Sequence, residues 1–90
     1  MARVFLPVPL RALAGGASAV EAPGATLGAL IATLEERFPG MAEALVDPDD
    51  PGRVRLGMVA FVDSEQADLG LRTPIGPDAE VHFLPHISGG

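Results

Sequence analysis

The stretch TLGALIATLEERFPG, residues 26–40, decides the fold of this chain because it contains the clearest helix. Its large apolar residues recur at helical spacing and form one stripe, which consists of Leu27, Leu30, Ile31, Leu34 and Phe38. Thr26 is suited to cap the N-terminus of this helix, and Pro39-Gly40 ends it. The stripe must be buried against another element, and the rest of the chain predicts a sheet.

Two strands are predicted before the helix. Residues 2–10 read ARVFLPVPL, which is rich in apolar and β-branched residues, and residues 18–22 read SAVEA. The Gly-Gly pair between them predicts a hairpin. Strand alternation gives the first strand two faces, with Val4, Leu6 and Val8 on one and Arg3, Phe5 and Pro7 on the other.

Turn signals alternate with apolar runs after the helix. Residues 41–46 predict one or two further helical turns, and the acidic residues 47–52 predict a solvated loop, because the spacing of a calcium loop is absent. Residues 53–63, RVRLGMVAFVD, are nearly continuous in apolar residues and predict one central strand. Residues 64–79 predict a long connection with a short strand near 69–71.

The last predicted strand, residues 80–87, completes the fold. Alternation puts Val81, Phe83 and Ile87 on one face and His82, Leu84 and His86 on the other. The order of elements predicts a single α+β domain over residues 1–90, with a mixed sheet of four to five strands packed on one main helix. If the last strand lies beside the first in the middle of the sheet, this is the β-grasp, ubiquitin-like arrangement.

Composition narrows the function classes. Twelve acidic residues against six basic ones give a net charge of −6, which disfavours nucleic acid and favours a partner with a positive face. The absence of Cys excludes disulfides, cysteine metal sites and thiol nucleophiles. No apolar run is long enough for a signal peptide or a membrane span, so we expect a cytoplasmic protein with no membrane partner.

The sequence carries little chemistry of its own. It has no phosphate-binding loop and no G-x-S-x-G motif, and Ser88 has no base and acid beside it. His82 and His86 lie four residues apart, which on a strand separates them by about 13 Å, so no shared metal is expected. We therefore predict that the chain is not an enzyme and binds no cofactor. The best remaining reactive group is the C-terminal carboxylate of Gly90.

The tail at residues 87–90 is predicted to be flexible, because two glycines add no burial and are costly to order. A carboxylate is a poor acyl donor until another enzyme activates it, for instance as an acyl-adenylate formed with ATP. A tail without Cβ atoms can thread in extended form into a narrow activating site. We therefore expect Gly90 to be the reacting residue and Gly89 to provide clearance.

A partner surface is predicted on the sheet face opposite the helix. Phe5 and Leu84 point away from the predicted core faces, and exposed apolar groups near a functional tail are typical of an interface. His86, Ile87 and Ser88 continue from this face into the tail and complete the predicted contact. A strand register shifted by one residue would instead bury Phe5 and Leu84.

Three stretches together resemble the ubiquitin-like sulfur carriers, from Arg3 to Gly90: TLGALIATLEERFPG, LVDPDDPGRVR and IGPDAEVHFLPHISGG. This family includes the small subunit of molybdopterin synthase and the sulfur carrier of the thiazole pathway. The stretch LVDPDDPG looks most like the carrier that serves a thiocarboxylate-dependent cysteine synthase in actinobacteria. The turn Asp78-Ala79-Glu80-Val81 departs from the Gly-Asp-Glu-Val of many relatives.

The resemblance implies a β-grasp fold and a carrier role. It implies that a ubiquitin-activating-like adenylyltransferase adenylates Gly90 with ATP, and that sulfide transfer then gives a C-terminal thiocarboxylate. This group would donate sulfur for cysteine biosynthesis to a cysteine-synthase-like acceptor. Three alternatives stay open, namely the small subunit of molybdopterin synthase, a sulfur donor in a secondary-metabolite pathway, and a non-reactive β-grasp binding module.

Overall fold

A computed structural model describes residues 1–85 of the chain, which form a five-stranded sheet, a two-stranded hairpin and three helices. The strands and helices follow one another as β1 (Ala2–Phe5), α1 (Val8–Arg11), β2 (Ala19–Ala22), α2 (Leu27–Arg37), α3 (Met41–Leu45), β3 (Val46–Asp47), β4 (Asp50–Val54), β5 (Met58–Val62), β6 (Glu65–Gln66) and β7 (Glu80–Pro85). Short 3-10 turns cover Ala12–Ala14 and Gly70–Arg72.

The main sheet has the strand order β2-β1-β7-β5-β6, so the last strand lies in the middle beside the first. Strands β1 and β7 run parallel, whereas the other neighbours in the sheet run antiparallel. Strands β3 and β4 form the separate hairpin. This is the β-grasp arrangement, and the predicted α+β fold with a mixed sheet on one main helix is confirmed.

Helix α2 is the main helix, and its predicted stripe forms the core. Thr26 caps it as predicted, because Thr26 Oγ1 accepts a hydrogen bond from the Ala29 N–H at 3.2 Å. The buried stripe residues pack with the inward-facing residues of the sheet, among them Val4, Val81 and Phe83. Full burial of a side chain of this size stabilises the fold by about 1.5–3 kcal/mol. The contact between α2 and the sheet is therefore a main source of stability.

The first predicted strand is too long. Strand β1 ends at Phe5, and Val8 lies in α1, where it is 70% exposed, so the prediction that it shares a buried face with Val4 is wrong. Pro7 ends the strand because it has no N–H with which to continue the ladder. Pro9 follows in the first turn of α1, where a missing N–H costs nothing. The predicted hairpin of the first two strands is confirmed.

The single strand predicted at residues 53–63 is wrong, because this segment belongs to two strands. Strand β4 ends at Val54 and pairs with β3 outside the main sheet, whereas β5 begins at Met58 and pairs with β7. Gly57 lies between them with a φ of 90°, a left-handed conformation that interrupts the extended chain. The apolar run at residues 53–63 therefore contributes strands to two different sheets.

Two predicted connections also differ from the structure. The loop predicted at 47–52 is mostly exposed, but it belongs to the β3–β4 hairpin. Its first residue, Asp47, is buried, and its Oδ1 accepts a hydrogen bond from the Asp49 N–H at 2.9 Å. The short strand predicted near 69–71 is a 3-10 turn, and the short strand of this connection lies at Glu65–Gln66.

A carboxylate joins the two consecutive helices α2 and α3. Glu35 Oε1 accepts hydrogen bonds from the Ala42 N–H at 2.9 Å and from the Gly40 N–H at 3.2 Å. Amide groups at the start of a helix have no acceptor within the helix itself. Glu35 therefore caps α3 from the preceding helix and fixes the turn between them.

We predict that Glu35→Ala lowers the free energy of unfolding by about 1–3 kcal/mol, because two backbone donors lose their acceptor. Glu35→Gln keeps one side-chain oxygen and should lose less. The exposed neighbour Glu36 is the control, since Glu36→Ala should change this free energy by less than about 0.5 kcal/mol. Urea unfolding measures all three variants, and equal losses for the two alanine variants would contradict the capping role.

Candidate functional site

Strand β7 positions the candidate site, because it lies in the middle of the sheet and leads directly into residues 86–90. Val81 and Phe83 face the core with 0% and 1% exposure, whereas Leu84 is 47% exposed on the opposite face. The predicted alternation of this strand is therefore confirmed from Val81 to Leu84, whereas its part at His86 and Ile87 lies outside the described residues. A register shifted by one residue would have reversed these exposures, so it is excluded.

Phe5 and His82 stack on each other at the centre of the face opposite α2. They are neighbours in the parallel ladder of β1 and β7, and their ring centroids lie 4.3 Å apart with planes inclined by 5°. The sequence predicts that Phe5 points away from the core, and the stack with His82 leaves its side chain half-buried on that face. Stacked aromatic pairs contribute about 0.5–1.5 kcal/mol beyond burial, so the pair forms a fixed platform.

Two residues of β5 extend this face, and the sequence-based prediction missed them. Phe61 lies opposite His82 in the antiparallel ladder, and Val59 lies opposite Leu84. Both are half-buried. Alternation within β5 alone points to them, but the prediction merged β5 with β4 into one continuous apolar strand. We call Phe5, Val59, Phe61, His82 and Leu84 the open face.

A groove of about 520 Å³ lies where β7 reaches its end. We call it the tail-base groove, and its walls include Phe5, Pro7, Val8, Arg11, Leu84 and Pro85. The groove exists because β1 ends at Phe5 and the chain then turns into α1, so the last residues of β7 have no strand beside them on that side. The groove is continuous with the open face through Phe5 and Leu84.

The part of the chain that the structure describes forms surfaces here, the open face and the tail-base groove. Within residues 1–85, no group of three or more His, Cys, Asp or Glu side chains could hold a metal ion. His82 is engaged in the stack with Phe5. The helices of the same part of the chain are all too short or too polar to cross a membrane.

The other predicted site residues lie outside the described residues, namely His86, Ile87, Ser88, Gly89 and Gly90. The predicted flexibility of residues 87–90 lies outside them too, so these assignments stay predictions. The structure does define the point from which these residues start. They follow Pro85, at the end of a strand that is held between β1 and β5.

Comparison with known proteins gives consistent matches over nearly the whole chain. The sequence profile of the ThiS family matches residues 4–90. Sulfur carrier protein CysO of Mycobacterium tuberculosis (strain ATCC 25618 / H37Rv) is 38% identical over 89 residues, which cover 97% of this chain and 96% of that protein.

Solved structures match equally well. The crystal structure of Mycobacterium tuberculosis CysO has a TM-score of 0.90 at 36% identity and covers 97% of this chain and 100% of that chain. A chain in the crystal structure of the Amycolatopsis orientalis BexX/CysO complex has a TM-score of 0.88 at 28% identity, with 100% of both chains covered.

We predict that Leu84→Asp leaves the domain folded and changes the free energy of unfolding by less than about 1 kcal/mol, because Leu84 is already 47% exposed. Phe83→Ala, at the adjacent position that faces the core, should cost about 3–5 kcal/mol. Urea and thermal unfolding of the two variants measure the difference. If Leu84→Asp destabilises the domain as much as Phe83→Ala does, Leu84 belongs to the core and the open face is assigned to the wrong side.

Proposed function

The chain belongs to the ThiS family, and from this membership we propose that it is a sulfur carrier, a small cytoplasmic protein on which other enzymes act. The observation that carries the proposal is the course of β7, which lies in the centre of the sheet and is followed by a sequence that ends in Gly89-Gly90. The 38% identity with CysO over 97% of the chain supports the same role.

The reacting group in this proposal is the carboxylate of Gly90. In the site of a ubiquitin-activating-like adenylyltransferase, a carboxylate oxygen attacks the α-phosphate of ATP, pyrophosphate leaves, and an acyl-adenylate forms. The sulfur of a sulfide donor then attacks the acyl carbon, AMP leaves, and the C-terminus becomes a thiocarboxylate. This thiocarboxylate is the sulfur donor. The carrier is therefore a co-substrate, and it needs no cofactor of its own.

The folded domain serves this chemistry by fixing the origin of the tail. Strand β7 pairs with β1 up to His82 and with β5 up to its end, where Pro85 lies opposite Met58, so Pro85 has a defined position relative to the open face. An enzyme that docks on the domain can thus receive the tail in a reproducible direction, which lowers the entropic cost of aligning the reacting group. Gly89 has no Cβ, and this allows the enclosing backbone to approach closely.

The open face is the proposed docking surface for the enzymes that receive the tail. Leu84 is 47% exposed, and the stacked pair of Phe5 and His82 lies beside it as a flat aromatic platform. Exposed apolar groups gathered beside a functional segment are typical of protein interfaces. His86, Ile87 and Ser88 are proposed to make contact where the chain leaves this face and enters the enzyme.

The proposed sulfur acceptor is a cysteine-synthase-like enzyme, so the sulfur would serve cysteine biosynthesis. The stretch LVDPDDPG and the similarity to CysO support this assignment. In the solved BexX/CysO complex, a relative of this fold is assembled with a second protein. That complex supports the view that a domain of this shape works by docking on a partner.

Composition favours a sulfur donor over a modifier that forms chains of its own copies. All six basic residues are arginines, so no lysine side chain is available for linking one copy of the chain to another. An isopeptide bond between copies would need an amine, and the α-amino group is the remaining one in the sequence. This favours a role as donor to a small molecule over a role as a chain-forming modifier.

We predict that removal of Gly90, or addition of one residue after it, abolishes adenylation and leaves the fold intact. Gly89→Ala should impair adenylation through its added Cβ. Exchange of radiolabelled pyrophosphate into ATP by the activating enzyme measures the reaction, and thermal unfolding checks the fold. Undiminished exchange with the extended chain would overturn the assignment of Gly90 as the reacting residue.

We predict that the thiocarboxylate form, mixed with a cysteine-synthase-like enzyme and an activated serine, yields cysteine and a carrier that ends in an ordinary carboxylate. Intact-mass measurement follows the replacement of sulfur by oxygen at the C-terminus. The carboxylate form of the carrier is the control and should give no cysteine. The donor role is refuted if no small-molecule acceptor is consumed and the carrier appears instead in covalent adducts with lysines of other proteins.

A further inference from the structure

The tail-base groove differs in charge from the chain as a whole. The chain carries twelve acidic residues and a net charge of −6, yet no Asp or Glu is among the described residues that line this groove. At the other end of β7, a smaller pocket is lined by Glu21, Asp78 and Glu80 together with Arg3 and Met1. Among the residues that the structure describes, the groove at the end of β7 therefore has no carboxylate, whereas the pocket at the start of the strand has three.

Arg11 is the permanently charged side chain among the described residues of the groove wall. It is the last residue of α1, it is half-buried, and its Nε donates a hydrogen bond to the Leu6 carbonyl at 3.1 Å. This bond fixes the stem of the side chain against the backbone. Within residues 1–85 the two terminal nitrogens of the guanidinium have no hydrogen-bond acceptor, so they can donate to an oxygen anion that enters the groove.

Apart from Ser18 and His82, the remaining described residues of the groove wall are apolar. Val8 is 70% exposed and Leu84 is 47% exposed, and they come from different elements, α1 and β7. Pro7 and Pro85 also line the groove, and neither has an N–H to offer to an added strand. The groove is therefore built to recognise side chains rather than to extend the sheet.

We propose that the tail-base groove binds a segment of the activating enzyme in which a carboxylate lies beside a large apolar side chain. The carboxylate pairs with the guanidinium of Arg11, whose two terminal nitrogens match its two oxygens. The apolar side chain lies between Val8 and Leu84. This inference rests on the proposed carrier function, and it adds to the open face a second contact with a defined charge.

The charge of Arg11 and the position of the groove favour a segment of the activating enzyme as the occupant. If a docked segment removed the Arg11 guanidinium from water without offering it an anion, the desolvation of the charge would weaken binding. The docked segment is therefore expected to supply a carboxylate. Pro85, the residue from which the tail starts, lines the groove, so an enzyme that docks around the start of the tail lies against the groove. The chain's own C-terminal carboxylate and a second copy of this chain are the competing occupants.

Arg11→Gln and Arg11→Lys separate the charge of this side chain from its structural bond. Both variants lose the Nε hydrogen bond to Leu6, but only the lysine variant keeps a positive charge. In pyrophosphate exchange we expect Arg11→Gln to raise the KM for the carrier about tenfold or more with kcat unchanged, and Arg11→Lys to raise it less. Arg53→Gln, which removes the same charge from strand β4, should leave the KM unchanged.

A second pair of variants avoids the hydrogen bond of Arg11 altogether. Val8→Asp puts a carboxylate into the groove, where it repels the proposed anionic segment, and it should raise the KM by a similar factor. Leu56→Asp is the matched control, because Leu56 is also strongly exposed, at 75%, but does not line the groove. In addition, higher salt should raise the KM of the unchanged carrier more than that of Arg11→Gln.

The outcomes distinguish this inference from the proposed function. If the unchanged carrier supports no exchange with the activating enzyme, the carrier function fails and the docking proposal fails with it. If exchange occurs but Arg11→Gln and Val8→Asp behave like their controls, the docking proposal alone is overturned. It is also overturned if amidation of the C-terminal carboxylate shifts the Arg11 Nε–H signal in the NMR spectrum of the free carrier, or if Arg11→Gln dissociates a dimer in sedimentation.

Discussion

The parallel pairing of β1 with β7 is the constraint on which the rest of the structure depends. Parallel neighbours cannot be joined by a hairpin, so residues 6–79 must leave the end of β1 and return to the start of β7. Helix α2 lies within this long crossover, and its apolar stripe packs on the side of Val81 and Phe83. The helix covers one side of the sheet, and the other side becomes the open face.

One face of β7 contributes to the stability of the core, and the other face contributes to the proposed binding surface. Phe83 contributes to the core, whereas its neighbour Leu84 contributes to a surface, because successive side chains on a strand point in opposite directions. The partner surface can therefore change in sequence without loss of the core. Pro85 ends β7, and Pro7 follows β1. Neither has an N–H that could bond to an additional strand, so a partner is expected to bind the side chains of this surface and not to extend the sheet.

The periodicity of apolar residues in the sequence predicts those helices and strands that bury one face and expose the other. The stripe of α2, the alternation of β7 and the hairpin of β1 and β2 are all of this kind, and the open-face orientation of Leu84 follows from them. The predictions fail where a single residue breaks an apolar run, as Gly57 does between β4 and β5. The stack of Phe5 on His82 depends on the register of two distant strands, which no local pattern contains. Arg11 has no signal in the sequence, because its place in the groove depends on the turn of the chain after β1.

The central place of β7 also determines when the domain can fold during synthesis. The N-terminal residues leave the ribosome first, yet the middle of the sheet arrives last. Until Glu80–Pro85 have emerged, β1 and β5 face a gap, and α2 has no Val81 or Phe83 against which to pack. A nascent chain interrupted before β7 cannot form this sheet. Every folded copy of the domain therefore already possesses the strand that, in the proposed carrier, leads into the reactive end.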